Sequence, residues 1–178
     1  MNPNLNMQIM LRLNCLKKHL RVSSILLILV LFHLCYMIVK QNTAMNGYYI
    51  KPSRVTPSIY FSPKKGLLDL RGKSSPENPL NFYNHIFNTL DQLADSEVTT
   101  MTANMAFEYF NTSSSKCLYM LFKKLDELHQ KGKRVIINWF YEVGDEDMME
   151  AGEDMNSFFT FDLKFKEVPE IKVLGEEN

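Results

Sequence analysis

The stretch from Thr99 to Tyr141 reads TTMTANMAFEYF, then NTSSSKCLYMLFKKLDELHQ, then KGK, then RVIINWFY. In its first segment Met101, Ala103, Met105, Phe107 and Tyr109 alternate with Thr100, Thr102, Asn104 and Glu108. That period of two predicts a half-buried strand. The second segment switches to helical spacing. Cys117, Leu118, Leu121, Phe122, Leu125 and Leu128 form one apolar face, with Lys123, Lys124, Asp126, Glu127 and Gln130 mostly opposite. Gly132 suits the residue just past a helix end. Arg134–Tyr141 is apolar on both faces, as a strand inside a sheet is.

The same grammar extends outward. Upstream, SIYFS (58–62) and LLDLR (67–71) flank Pro63-Lys64-Lys65-Gly66, a turn sequence, and predict a β-hairpin. Asn78 is placed to cap a helix with Pro79 at its first position. Phe82, Ile86, Phe87, Leu90 and Leu93 supply its buried face up to about Asp95. Downstream, residues 147–159 read as a third helix, acidic at its start as the helix dipole favours. Phe161, Leu163 and Phe165 alternate with Asp162, Lys164 and Lys166 as a last strand. The order β-β-α-β-α-β-α-β predicts an α/β fold, a single mixed sheet packed by helices over residues 45–168, with a polar tail at 169–178.

Residues 1–44 have a different composition. They hold Arg12, Lys17, Lys18, Arg21 and Lys40 and no acid, whereas residues 45–178 hold 15 basic and 20 acidic residues, a net of −5. The run ILLILVLFHLCYMIV (25–39), with its neighbours, approaches the ~20 residues that cross a bilayer. It predicts an N-terminal hydrophobic helix, a candidate transmembrane span at about 23–40. A second reading starts the protein at Met45 and makes 1–44 an upstream extension, which leaves a cytoplasmic, soluble domain. Basic residues flank the run on both sides. Their count slightly favours a cytoplasmic N-terminus, whereas the domain's own chemistry favours a cytoplasmic domain. A membrane-anchored extracytoplasmic ligand- or protein-binding domain therefore stays open as the alternative.

The charge balance argues against a nucleic-acid partner, which calls for a basic face. Cys15, Cys35 and Cys117 show no zinc spacing, and no acid/base pair, nucleophile elbow, cofactor motif or metal set stands out. The chain reads as non-catalytic. Its most unusual stretch is Asn111-Thr112-Ser113-Ser114-Ser115-Lys116, between a strand end and a helix start. One such residue suffices to cap a helix. Several together also suit a phosphorylation site, since free N–H groups and the dipole tolerate a dianion there. Asp145, Glu146, Asp147, Glu150, Glu153 and Asp154 form an acidic cluster, either a solvated helix face or, with the Trp139–Tyr141 strand end, part of a partner surface.

Four segments in order resemble one family. They are Gly72-Lys73-Ser74-Ser75-Pro76-Glu77-Asn78; Tyr109-Phe110-Asn111-Thr112-Ser113-Ser114; Gly132-Lys133-Arg134-Val135 with Asn138-Trp139-Phe140-Tyr141; and Asp145-Glu146-Asp147 through Glu150-Ala151-Gly152-Glu153. Over about Val55 to Val168 the chain is similar to the SiaC-type regulatory phosphoproteins of bacteria. Ser75 stands where that family usually has Tyr, and residues 1–44 lie outside its pattern. The resemblance implies a STAS-like fold, similar to anti-sigma-factor antagonists, and a partner-switching role. It implies a protein kinase that phosphorylates the module, a PP2C-type phosphatase that reverses this, and a diguanylate cyclase bound by the dephosphorylated form. The family's phosphorylated residue falls on Thr112, with Asn111, Ser113, Ser114, Trp139, Tyr141, Glu150 and Glu153 as expected partner-binding residues.

Overall fold

The computed structural model describes residues 28–32 and 46–173. The chain divides into two units, residues 1–44 and 45–178. In the first, residues 28–32 are helical, and the rest of the candidate span at about 23–40 lies outside the described residues. Among the described residues no helix is long and apolar enough to cross a membrane.

The second unit holds a six-stranded sheet in sequence order: β1 (Tyr48–Ile50), β2 (Ser58–Ser62), β3 (Leu67–Ser74), β4 (Thr100–Phe110), β5 (Arg134–Glu142) and β6 (Asp162–Val168). The β1–β2 and β2–β3 pairs are antiparallel, and β3 to β6 are mutually parallel. This is the α/β mixed sheet the pattern predicts, with one strand more. The three residues of β1 are too few to show a period.

The β2–β3 turn is a short 3-10 helix over Pro63–Lys65 that ends at Gly66, whose φ of 59° is left-handed. A Cβ there would lie 2.0 Å from the Thr100 carbonyl oxygen, so the turn requires glycine.

Three helices connect the parallel strands: α1 (Pro79–Ala94), α2 (Thr112–Gln130) and α3 (Glu146–Asn156). Each crossover steps the same way along the sheet. With right-handed connections, all three helices therefore lie on one face. Leu68 and Leu70, Met101 to Phe107 at alternate positions, and Val135, Ile137 and Trp139 project into that face and meet Tyr83, Ile86, Leu118, Leu121, Phe122 and Leu125.

The other face has no helix and is closed by its own side chains. Asn138 donates to Asn104 (2.7 Å) and Asn104 donates to Asp69 (2.9 Å), a ladder across β5, β4 and β3. Arg71 binds Asp69 through two nitrogens and lies 5.4 Å from the Phe140 ring centroid, with Lys166 at 5.2 Å. These groups account for the apolar and amide residues on the second face of β5.

Helix α3 stops at Asn156, short of the expected Phe159. The chain must reverse there to enter β6. Phe159 and Phe161 stack on each other at 5.4 Å, and each lies 5.8 Å from the Phe122 ring.

Candidate functional site

The start of α2 gives each hydroxyl of the Asn111–Ser115 run a separate role. Asn111 is the N-cap, and its side chain accepts from the Ser114 N–H at 2.8 Å. Its own N–H donates to the Ser74 carbonyl at the end of β3, 3.0 Å away. Ser114 is fully buried, and its Oγ accepts from Ser74 Oγ at 2.9 Å. Ser74 Oγ lies 2.7 Å from the Tyr83 hydroxyl of α1. Burial pushes the Tyr83 phenol well above its usual range, opposed by its bond to Ser74, so it stays a neutral donor. Ser115 donates to the Thr112 carbonyl at 2.9 Å. Thr112 and Ser113 remain exposed at the first two helical positions. Neither hydroxyl is hydrogen-bonded among the described residues.

Two of the expected partner-binding residues are buried. Ser114 offers no surface, because its hydroxyl is spent on tying α2 to β3. Trp139 is 0% exposed. Its indole N–H donates to the Met148 carbonyl of α3 at 2.9 Å, and its ring lies 6.1 to 6.3 Å from those of Phe107, Phe110 and Phe122. Tyr141 is half-buried and packs against the same core. Of the remaining expected residues, Asn111 is half-buried at the cap, while Ser113, Glu150 and Glu153 are exposed.

What the helical period did not reveal is an apolar cleft of about 460 Å3 between α2 and α3. Tyr119, Met120, Met155 and Phe158 line it, with Lys116 and Asp154 beside them. Phe158 is 68% exposed, and its ring meets Tyr119 edge-on at 5.8 Å. The signal was present in the sequence: Tyr119 and Met120 fall off the buried stripe of α2, on its solvent side. Ser115 also lines this cleft, so it opens one turn from Thr112. On α3, Asp145 caps the helix through the Met148 N–H, which leaves Glu150 and Glu153 with no capping role. Reversing both charges (Glu150→Lys with Glu153→Lys) is expected to shift the unfolding midpoint little, since exposed substitutions usually stay within about 0.5 kcal/mol. Partner affinity is expected to fall severalfold by calorimetric titration. An unchanged affinity would make this a solvated face only.

Among the described residues no three His, Cys, Asp or Glu side chains are placed to hold a metal ion. Cys117 is buried, which raises its thiol pKa and keeps it protonated. A second cleft, of about 660 Å3, lies where Lys73, Glu108 and Glu142 end their strands. There the Ile171 N–H donates to Glu142 at 2.9 Å, and Lys73 pairs with Glu108 at 3.6 Å.

A family model described as SiaC family regulatory phosphoprotein matches residues 50–168. A curated, uncharacterized protein of Pseudomonas aeruginosa (strain UCBPP-PA14) is 26% identical over 117 residues, 66% of this chain and 93% of its own length. The crystal structure of apo-SiaC from Pseudomonas aeruginosa superposes with a TM-score of 0.63 at 23% identity, over 68% of this chain and 98% of that one. SiaC in the crystal structure of the diguanylate cyclase SiaD in complex with its activator SiaC, from the same organism, gives 0.65 at 24%, over 68% and 99%. At these identities the likeness to the solved structures is one of fold.

Proposed function

Because the chain belongs to the SiaC family of regulatory phosphoproteins, we propose that it is a non-catalytic switch, reversibly phosphorylated on Thr112, that binds its effector in the unmodified form. The effector in this reading is a diguanylate cyclase, by analogy with the SiaD that a SiaC activates. A protein kinase transfers the γ-phosphoryl of a nucleoside triphosphate to Thr112 Oγ1. The hydroxyl proton leaves to a base of the kinase, and the nucleoside diphosphate departs. A PP2C-type phosphatase hydrolyses the ester. The regulatory domain, residues 45–168, works in the cytoplasm, where that nucleotide is held.

The observation that carries the reading is the sorting of the hydroxyls. Ser114 is buried and Ser115 is bonded to the backbone, which leaves Thr112 and Ser113 exposed in the first turn near an apolar cleft, and of these two Thr112 is the position on which the family's phosphorylated residue falls. A dianion there gains only about 0.3–1 kcal/mol from the helix dipole, so modification leaves the fold intact. Placed against a bound partner it costs more, and each ~1.4 kcal/mol lowers affinity tenfold.

Asn111, not Thr112, is the cap, so Thr112→Ala spares the cap bond. Thr112→Ala is expected to block phosphate incorporation and to keep full affinity for the cyclase. Thr112→Glu is expected to lose about tenfold or more, yet less than phosphate does, because a carboxylate carries about one charge and phosphate about 1.5 to 2. Titration of each full-length variant against the cell's own cyclase checks this. Equal affinity of Thr112→Glu and the parent would refute the switch.

A further inference from the structure

Lys116 is exposed, lines the α2–α3 cleft, and forms no ion pair among the described residues. It follows Thr112 by four residues in the same helix. Residues so spaced share a face about 5–6 Å apart, and the acid-first, base-second order is the favourable one. We infer that Lys116 is the counter-charge of a phosphate on Thr112, so that modification draws the ammonium off the rim of the cleft toward the helix start. The inference rests on the reading of Thr112 as the modified residue and adds what the phosphate does locally.

The neighbouring lysines of α2 are poorer candidates. Lys124 is already paired with Asp91 of α1. Lys123 is eleven residues beyond Thr112, about 16 Å along the helix axis. Lys116 alone couples the two features of this face. In the unmodified chain the cleft offers an apolar floor of Tyr119, Met120 and Phe158 with a cation beside it and Asp154. With Lys116 held by phosphate, that cation is withdrawn and Asp154 remains. A partner that meets the cleft through its own carboxylate then loses an attractive contact as well as meeting a new dianion. Phosphorylation thereby acts on the cleft without any rearrangement of the backbone.

The test needs neither kinase nor effector. Phosphothreonine is incorporated at position 112 of the full chain during translation, and its 31P resonance is titrated with pH. The second phosphate ionisation, near pH 6 in an unpaired ester, is expected about 0.3 pH lower in the parent than in Lys116→Met. Lys116→Arg is expected to restore the parent value, Lys123→Met to leave it unchanged, and added salt to shrink the difference. Identical midpoints in the parent and Lys116→Met would overturn the inference. So would a change in Lys123→Met as large as that in Lys116→Met. Failure to find phosphate on Thr112 in the native protein is a separate result. It would remove the switch reading while leaving the measured pairing in place.

Discussion

Trp139→Ala is expected to destabilise the domain by about 3–5 kcal/mol, the range for deleting a large core aromatic. The residue sits near a strand end, where an aromatic suits a partner surface, yet its ring is enclosed by Phe107, Phe110 and Phe122 and its N–H is accepted by Met148. Removing it empties the space between the sheet and α3. Denaturant unfolding checks this, with the midpoint falling at constant slope. A loss below about 1 kcal/mol would mean that α3 does not pack on Trp139. Partner affinity, measured where the variant is still folded, is expected to change only through α3, since no atom of Trp139 is offered to solvent.

Gly152→Val tests the same contact from the opposite side. A Cβ at this position of α3 would lie 2.7 Å from Trp139 Nε1 and 2.8 Å from Phe165 Cε1, closer than real Cβ contacts. Only glycine lets the helix axis come so near β5 and β6. The branched side chain is expected to lift α3, weaken the bond between Trp139 and Met148, and cost about 1–3 kcal/mol or more, as overpacking does. Indole fluorescence should shift to the red as water reaches Trp139. An unchanged midpoint and spectrum would contradict this packing. Because α3 forms one wall of the cleft, affinity for the effector is expected to fall with stability in this variant. In Thr112→Glu, by contrast, affinity is expected to fall alone.

Periodicity revealed most of the fold because β3, β4 and β6 are largely polar on one face and apolar on the other, while β5 is apolar on both. Met101, Ala103, Met105 and Phe107 all point to the helices, and their alternation with Thr102 and Asn104 is the register of the sheet written in residue types. Asn78 and Pro79 marked the start of α1 because capping is local chemistry. Strand β1 was invisible, since three residues carry no period and its partner β2 lies across a loop. The place of Trp139 was in fact legible. Val135, Ile137 and Trp139 keep one parity, which puts the indole with the core residues.

The stripe of Cys117, Leu118 and Leu121, carried back one turn, reaches Ser114 and marks it for burial, but local pattern could not show what its hydroxyl meets there. That depends on Ser74 and, behind it, Tyr83, some 30 to 40 residues away in the chain. The cleft has the same character. Tyr119 and Phe158 look like stray surface aromatics until α2 and α3 are set side by side on one face of the sheet.

The most direct test of the central claim is the position of phosphate on the chain isolated from its own cells. Fragmentation mass spectrometry of the peptide spanning Asn111–Lys116 reads it residue by residue. The account predicts a single phosphate on Thr112, absent after PP2C-type phosphatase treatment and absent from Thr112→Ala. Phosphate on Ser113 or Ser115 in place of Thr112, or a chain that carries none whether or not its effector is bound, would contradict it.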